Sequence, residues 1–163
     1  FWVPKFMLPL NKKLINKLRK KKLTIAVAES FTGGLLSASI ISIPKASEIY
    51  KFGLITYSNE SKSKLLKIPN KILAKNGAVS RKTCIYMVKN LSGISKADVC
   101  ISTTGIAGPS GGKVNKPVGL VYIGIKFKRK ILCKKLLIQK KQRNHIQKET
   151  VKRTLKFLNN YLK

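Results

Sequence analysis

The amino-acid sequence predicts an α/β fold: a three-layer α/β/α sandwich, in a single domain, around a mixed and mostly parallel sheet. Three observations lead to this prediction. Short apolar, β-branched runs alternate with amphipathic helical patterns, as they do where helices cross over between parallel strands. Two later strand patterns, residues 118–127 and 131–138, are joined by a tight basic turn and predict an antiparallel hairpin. The length of 163 residues suits one domain with one core.

The first part of the chain predicts two helices on either side of a buried strand. Residues 10–20 place their large apolar side chains on one face, which is typical of an amphipathic helix, and we expect residues 1–9 to form an irregular extension before it. Residues 24–28 form a short apolar run, typical of a buried strand. A helix over residues 33–42 would follow and stop before Pro44, because proline disfavours helical backbone in the residue that precedes it.

The rest of the chain continues this alternation. Ser58 and Ser80 are predicted N-caps, since a hydroxyl can accept from a backbone N–H in the first turn of a helix. Pro69 begins a short helix that Asn76 and Gly77 end. The remaining elements are, in order, a strand at 49–57, helices at 59–67, 69–75 and 81–91, a strand at 98–102, a glycine-rich loop at 105–116, the hairpin, and a helix at 144–162.

The net charge is the unusual number in the composition: 35 basic minus 5 acidic residues gives +30. Such a charge indicates either nucleic-acid binding or a drift in composition. We favour drift, because 30 of the cations are lysine and only 5 are arginine, the better residue for bidentate phosphate and base contacts. In either case we expect non-specific polyanion binding at low salt.

Composition also argues against several classes of protein. No apolar run approaches the ~20 residues that span a bilayer, so no membrane partner is expected. Cys84, Cys100 and Cys133 are widely separated and His145 is the single histidine, a pattern that does not favour a zinc or other metal site. An odd number of cysteines without secretory features fits a reducing cytoplasm.

Two glycine-rich segments carry the functional signal. TIAVAESFTGGLLSASI covers residues 24–40, and ADVCISTTGIAGPSGG covers residues 97–112. Glycine lets backbone N–H groups approach a ligand, and a helix that begins there adds a partial positive charge. Between the two segments, YSNESK at residues 57–62 supplies a tyrosine, a carboxylate and a lysine. We therefore expect a polar site at the carboxyl edge of the sheet.

Five motifs together resemble a known family. AESFTGG, TYSNESK, NGAVS, TGIAGPSGG and KPVG, in this order and spacing, are similar to the C-terminal domain of the competence/damage-inducible CinA proteins, whose single-domain form is nicotinamide-nucleotide amidohydrolase. The resemblance covers residues 10–160. It implies hydrolysis of the carboxamide of nicotinamide mononucleotide to nicotinic acid mononucleotide and ammonia, without a cofactor, by a cytoplasmic homo-oligomer with a dimer favoured.

Amide hydrolysis needs a nucleophile, a base to activate it, and donors for the developing oxyanion. A Ser-His-Asp triad is a poor candidate, because the histidine lies far from the glycine motifs in sequence, whereas a serine–lysine pair is available. The resemblance makes Ser30 the candidate nucleophile, Lys62 its base, and Tyr57 a proton relay or orienting hydroxyl. From the residues alone, Ser30 would be a helix N-cap and Lys62 one solvated lysine among many.

Several further residues are candidates for substrate binding. Glu29 and Glu60, two of only five acids, could pair with Lys62, hold the ribose hydroxyls, or form structural ion pairs. Two cradles for the phosphate remain open: Thr32, Gly33 and Gly34 in the first segment, or Thr104, Gly105 and Gly108 in the second.

The C-terminal part of the expected site departs from the family pattern. The resemblance implies that Arg143 clamps a substrate anion, and Ser47 is a weaker binding candidate. The departures are Lys141-Gln142 in place of Gly-Asp, Gln147 in place of an arginine, Phe31 in place of a small residue or cysteine, and Ser110 in place of an acid.

Two functions of different classes follow from these observations. The first is the amidase just described. The alternative is a catalytically weak nucleotide-binding or nucleic-acid-binding module that uses the same fold and its basic surface. The presence of Ser30, Tyr57 and Lys62 favours the enzyme. A nucleic-acid face would cluster basic residues with aromatic ones, whereas Trp2, Phe52 and Phe127 lie apart in sequence.

Overall fold

The computed structural model describes residues 7–139 and 142–162. Its helices are α1 (Leu8–Lys20), α2 (Leu35–Ile41), α3 (Asn59–Leu66), α4 (Asn70–Asn76), α5 (Arg81–Ser95) and α6 (Arg143–Tyr161). Its strands are β1 (Ile25–Glu29), β2 (Tyr50–Ile55), β3 (Val99–Gly105), β4 (Leu120–Phe127) and β5 (Lys130–Leu137). Each element that the sequence predicts is present, with bounds that shift by a few residues.

The strands form one sheet in the order β2-β1-β3-β4-β5. Strand β1 pairs in parallel with β2 and with β3, whereas β4 is antiparallel to both β3 and β5. Because β5 reverses β4, it runs in the direction of β3, so that β4 alone opposes the other strands within the described residues. The prediction of a mixed, mostly parallel sheet is therefore confirmed.

Helices cover both faces of this sheet and complete the three layers. On one face, α1, α2 and α6 enclose a core that includes Leu14, Val27 and Leu155. On the other, α3, α4 and α5 pack over Ala26, Met87 and their neighbours. Strand β1, which lies between β2 and β3, is buried at all five positions, because both of its faces are covered by helices.

The helix ends match the capping residues predicted from the sequence in two cases and differ from the predicted end in one. Ser58 and Ser80 cap α3 and α5 as predicted, each accepting from a backbone N–H in the first turn. Helix α5 continues to Ser95, beyond the predicted end, because the packing of α5 offsets the roughly 1 kcal/mol that Gly93 costs inside a helix.

At the N-terminus, the first helix begins earlier than predicted. Helix α1 already begins at Leu8, with Pro9 in its first turn, where a proline is tolerated because no backbone N–H is needed there. Met7 is buried against the core, which anchors this end. Residues 1–6 lie outside the described part of the chain. Among the described helices, none combines the length and apolarity required to cross a bilayer.

Candidate active site

Ser30 and Lys62 lie in contact at the carboxyl edge of the sheet. Ser30 directly follows β1, and its N–H donates to the carbonyl oxygen of Thr103 on the neighbouring strand β3 at 3.1 Å. Helix α3 brings Lys62 over this edge, so that its Nζ lies 2.9 Å from Ser30 Oγ. The two residues are 32 positions apart in sequence, and the parallel pairing of β1 and β2 brings them together.

The Lys62 ammonium is buried without a counter-charge. The residue has 0% exposed surface, and its Nζ donates to the carbonyl oxygens of Thr56 at 2.6 Å and Tyr57 at 3.2 Å. None of the ion pairs among the described residues involves it. Burial lowers the pKa of Lys62 to about 8, since desolvation disfavours the charged form.

This arrangement suits a neutral amine that accepts a proton from a hydroxyl. A neutral lysine has two N–H donors and one lone pair. The two backbone carbonyls can take both donors, which leaves the lone pair to face Ser30 Oγ. The geometry therefore presents a serine hydroxyl to a basic nitrogen inside a largely dry environment.

A cavity of about 310 Å³ opens beside the pair, at the lower end of the roughly 300–1,000 Å³ that ligand sites occupy. It is lined by Ser30, Phe31, Tyr57, Gly105, Gly108 and Arg143, among others. Hollows of about 390 to 550 Å³ elsewhere on the described surface contain none of the predicted site residues. The motif residues thus converge on this smaller cavity.

Arg143 joins three parts of the cavity wall. From the first turn of α6, its Nη2 donates to Tyr57 Oη at 3.1 Å and its Nη1 donates to the Gly108 carbonyl oxygen at 3.0 Å. Gly108 has a φ of +70°, and a Cβ there would lie 2.6 Å from Val118 Cγ1, so only glycine fits. The fold thus brings Tyr57 and Arg143, two separately predicted site residues, into contact at the cavity wall.

Glu29 and Glu60 are both engaged away from the cavity. The Glu29 carboxylate is buried and accepts from the N–H groups of Gly34, Leu36 and Ser37 and from Ser37 Oγ, at 2.6 to 3.1 Å. Glu60 is exposed and pairs with Lys64 at 2.7 Å. Neither carboxylate contacts Lys62 or lines the cavity, so neither is placed to bind a substrate there as predicted.

The two candidate phosphate cradles differ in which of their polar groups are already hydrogen-bonded within the protein and which residues line the cavity. In the first, the Gly34 N–H is taken by Glu29, and Thr32 Oγ1 lies 2.8 Å from Thr103 Oγ1 in the interior. In the second, Gly105 and Gly108 line the cavity. The Thr104 hydroxyl is buried and donates to the Ala78 carbonyl oxygen at 2.8 Å, which ties the second loop to the segment before α5.

Ser47 does not belong to this site. It is exposed in a short 3₁₀ turn, Ala46–Glu48, that precedes β2. Since β2 runs parallel to β1, its beginning lies at the opposite edge of the sheet from Ser30. The prediction for Ser47 is wrong because residues that precede a parallel strand cannot share an edge with those that follow its neighbour.

Most of the residues that depart from the family pattern lie in or next to the site. Phe31 is buried, with its ring against Gly105, and its carbonyl oxygen accepts from Gln147 Nε2 at 2.7 Å. Ser110 lines the cavity. Gln142 is exposed immediately before α6, and Lys141 lies outside the described residues.

Sequence reasoning assigned no role to four contributing residues. The Thr56 carbonyl holds Lys62, Thr103 supports the Ser30 turn, and Ala78 and Val79 form part of the cavity wall. The NGAVS motif was a signal for the last two. Thr103 is the register partner of Glu29, a relation that requires knowledge of the strand order.

The fold and site define the class of this protein: an α/β sandwich with a buried serine–lysine pair at the carboxyl edge of its parallel strands. The sequence profile of the CinA C-terminal domain matches residues 7–162. The chain therefore belongs to the CinA C-terminal domain family, as the motifs predicted.

Individual relatives agree with this assignment. The chain is 43% identical over 149 residues to a competence-damage inducible protein of Thermoanaerobacter pseudethanolicus, an alignment that covers 91% of this chain and 36% of the relative. It thus spans about a third of the length of the curated relatives it matches. The crystal structure of the competence/damage inducible protein CihA from Agrobacterium tumefaciens superposes with a TM-score of 0.94 at 32% identity, covering 99% of this chain and 98% of that one. A CinA superfamily protein from Escherichia coli gives a TM-score of 0.89 at 25% identity, with 96% and 89% coverage.

Proposed function

We propose that this protein is a nicotinamide-nucleotide amidase that hydrolyses the carboxamide of nicotinamide mononucleotide through Ser30 and Lys62. The observation that carries the proposal is the 2.9 Å contact between Lys62 Nζ and Ser30 Oγ, with the lysine fully buried and without a carboxylate partner. Membership of the CinA C-terminal domain family supports the choice of substrate.

In the proposed reaction, neutral Lys62 removes the proton from the Ser30 hydroxyl as Oγ attacks the carboxamide carbon. The resulting ammonium then donates its proton to the leaving nitrogen, the C–N bond breaks, and ammonia departs. This step leaves an ester between the pyridine carbonyl and Ser30. Lys62 next takes a proton from water, which attacks the ester and releases the carboxylate product together with the restored serine hydroxyl.

The remaining cavity residues have roles in binding in this proposal. The loop that contains Gly105 and Gly108 offers backbone N–H groups to the phosphate, because the first glycine segment is already occupied by Glu29. Arg143 places a cation beside the cavity. Tyr57, whose oxygen accepts from Arg143, orients the substrate or relays a proton.

The test is ammonia release from nicotinamide mononucleotide by the purified protein, without added metal. Ser30→Ala should abolish release, since no other hydroxyl of the described chain contacts Lys62 Nζ. Ser63→Ala, which removes a hydroxyl from the residue next to Lys62, is the matched control and should retain activity. Release that survives in Ser30→Ala would exclude Ser30 as the nucleophile, and an inactive but folded wild type would exclude this substrate.

A homodimer remains part of the proposal as an expectation from the family. Light scattering coupled to size-exclusion chromatography measures the mass directly. A mass of one chain, at the concentration of the activity assay, would contradict it.

A further inference from the structure

One strong contact is not used by the proposed reaction and yet reaches the residue next to the nucleophile. Gln147 Nε2 on α6 donates to the carbonyl oxygen of Phe31 at 2.7 Å, between residues 116 positions apart. Phe31 is bonded to Ser30, so this contact acts on the peptide between residues 31 and 32, one residue beyond the reacting serine. The bond is partly buried, which limits competition from water.

Phe31 is also held at its other end. The residue has 4% exposed surface, and its ring packs against Gly105, where a Cβ would lie 2.8 Å from the ring. The ring is therefore confined between the core and the second glycine loop. The ring is held by packing, and the carbonyl contact adds a second restraint on the peptide between residues 31 and 32.

Gln147 shares a helical face with Arg143, which lies one turn earlier. Arg143 contacts Tyr57 and Gly108 on one side of the cavity, and Gln147 contacts Phe31 on the other. The first turns of α6 thus contact three of the segments near Ser30, at Tyr57, Gly108 and Phe31.

From this arrangement we infer that Gln147 is a positioning residue, whose amide holds the Phe31 peptide so that Ser30 Oγ keeps its contact with Lys62 Nζ. The inference rests on the proposed function. Without the amide, the peptide can rotate and carry the serine hydroxyl away from the base. A displacement of about 1 Å in a reacting group can lower the rate about 100-fold.

Loss of the Gln147 amide should affect turnover and leave substrate binding nearly unchanged. Gln147 is absent from the residues that line the cavity, so its loss should leave substrate contacts intact. In Gln147→Leu we expect kcat to fall about 10- to 100-fold while KM stays within about threefold. Gln147→Glu, which keeps the shape but cannot donate, should show the same loss.

A conservative variant distinguishes positioning from general structural support. Gln147→Arg retains an N–H donor that can reach the Phe31 carbonyl, and it should keep kcat within about threefold of the wild type. Lys156→Gln, an exposed change later on α6, is the control for effects on the helix itself. An unchanged kcat in both Gln147→Leu and Gln147→Glu, or a rise in KM at constant kcat, would overturn the inference.

A second readout keeps the inference testable if the substrate is not nicotinamide mononucleotide. Covalent labelling of Ser30 by a fluorophosphonate, followed by mass spectrometry, measures the reactivity of the serine without any amide substrate. The labelling rate should fall about 10-fold or more in Gln147→Leu and recover in Gln147→Arg. Equal rates in wild type and Gln147→Leu would overturn the positioning role, and a wild type whose Ser30 does not react would overturn it together with the proposed nucleophile.

Discussion

Glu29 and Lys62 are two ionisable residues buried within one small region, and they differ in the hydrogen-bond partners that surround them. Both have 0% exposed surface. The Glu29 carboxylate meets four donors, three of them backbone N–H groups at the start of α2. Lys62 Nζ meets two carbonyl oxygens and one hydroxyl, and no carboxylate.

The two residues are equally buried, so burial does not distinguish them. They differ in how far hydrogen bonds and opposite charges compensate for the lost solvation of the ionised group. The helix N-terminus and its hydrogen bonds stabilise a carboxylate, so Glu29 fastens β1 to α2. Lys62 receives dipoles but no opposite charge, and desolvation lowers its pKa to about 8. In the proposed mechanism, this incomplete compensation allows the lysine to exchange a proton with Ser30 near neutral pH.

The largest effect should come from Lys62→Met, which replaces the buried amine with an apolar chain of similar length. We expect the rate of nicotinamide mononucleotide hydrolysis to fall about 10²- to 10⁴-fold, the range that a general base contributes. The free energy of unfolding should stay equal or rise, because an uncompensated buried cation is removed. Ammonia release and urea denaturation measure the two quantities, and Lys64→Met, an exposed neighbour, is the control. A large loss of stability would contradict the contrast with Glu29.

Glu29→Gln should show the opposite pattern, a loss of stability as its main effect. An amide cannot accept from all four donors, and its own N–H groups would face the N–H groups of α2. We expect the free energy of unfolding to fall by about 2–4 kcal/mol, since buried donors lose their partners. Urea denaturation monitored by circular dichroism tests this. An unchanged denaturation midpoint would mean that Glu29 is not the anchor of α2.

These two residues also mark the limit of what the sequence predicts. The strands and helices follow from signals that act over a few residues, such as the Ser58 cap and the apolar stripe of α6, and the structure confirms them. The role of Glu29 depends on the positive φ angles of Gly33 and Gly34, which turn α2 back over the end of β1. No local pattern encodes that geometry.

Lys62 illustrates the same limit for the site. Nothing in its immediate neighbours distinguishes it from the other lysines, because its burial arises when α3 packs against α5 over the sheet edge. Only the five-motif resemblance singled it out. Ser47 is a different case: it precedes β2 whereas Ser30 follows the parallel strand β1, so the predicted order of elements already placed the two residues at opposite edges of the sheet.

The pH dependence of kcat/KM tests whether Lys62 acts as the base. As a base, Lys62 must be neutral, so kcat/KM should rise about tenfold per pH unit below a midpoint near 8 and level off above it. A flat profile between pH 6 and 9 would exclude Lys62 as the base.

The same proton affects folding with a definite sign. The folded-state pKa of Lys62, about 8, lies below the ordinary lysine value of 10.5, so between these values the unfolded chain binds more protons. Stability therefore rises with pH in this window, and the wild type should gain relative to Lys62→Met from pH 8 to 10. Paired urea titrations measure the difference, which cancels the other lysines. A constant difference would show that Lys62 keeps an ordinary pKa.

The smallest effect is expected at Glu60, the acid that shares the YSNESK segment with Lys62 but lies on the surface. Its pair with Lys64 is about three-quarters exposed on both sides, where solvent and salt screen the attraction. Glu60→Gln should change the free energy of unfolding by less than about 0.5 kcal/mol and leave kcat within about twofold. A loss comparable to that of Glu29→Gln would mean that position in the motif, and not hydrogen-bond compensation in the interior, decides which carboxylates this fold requires.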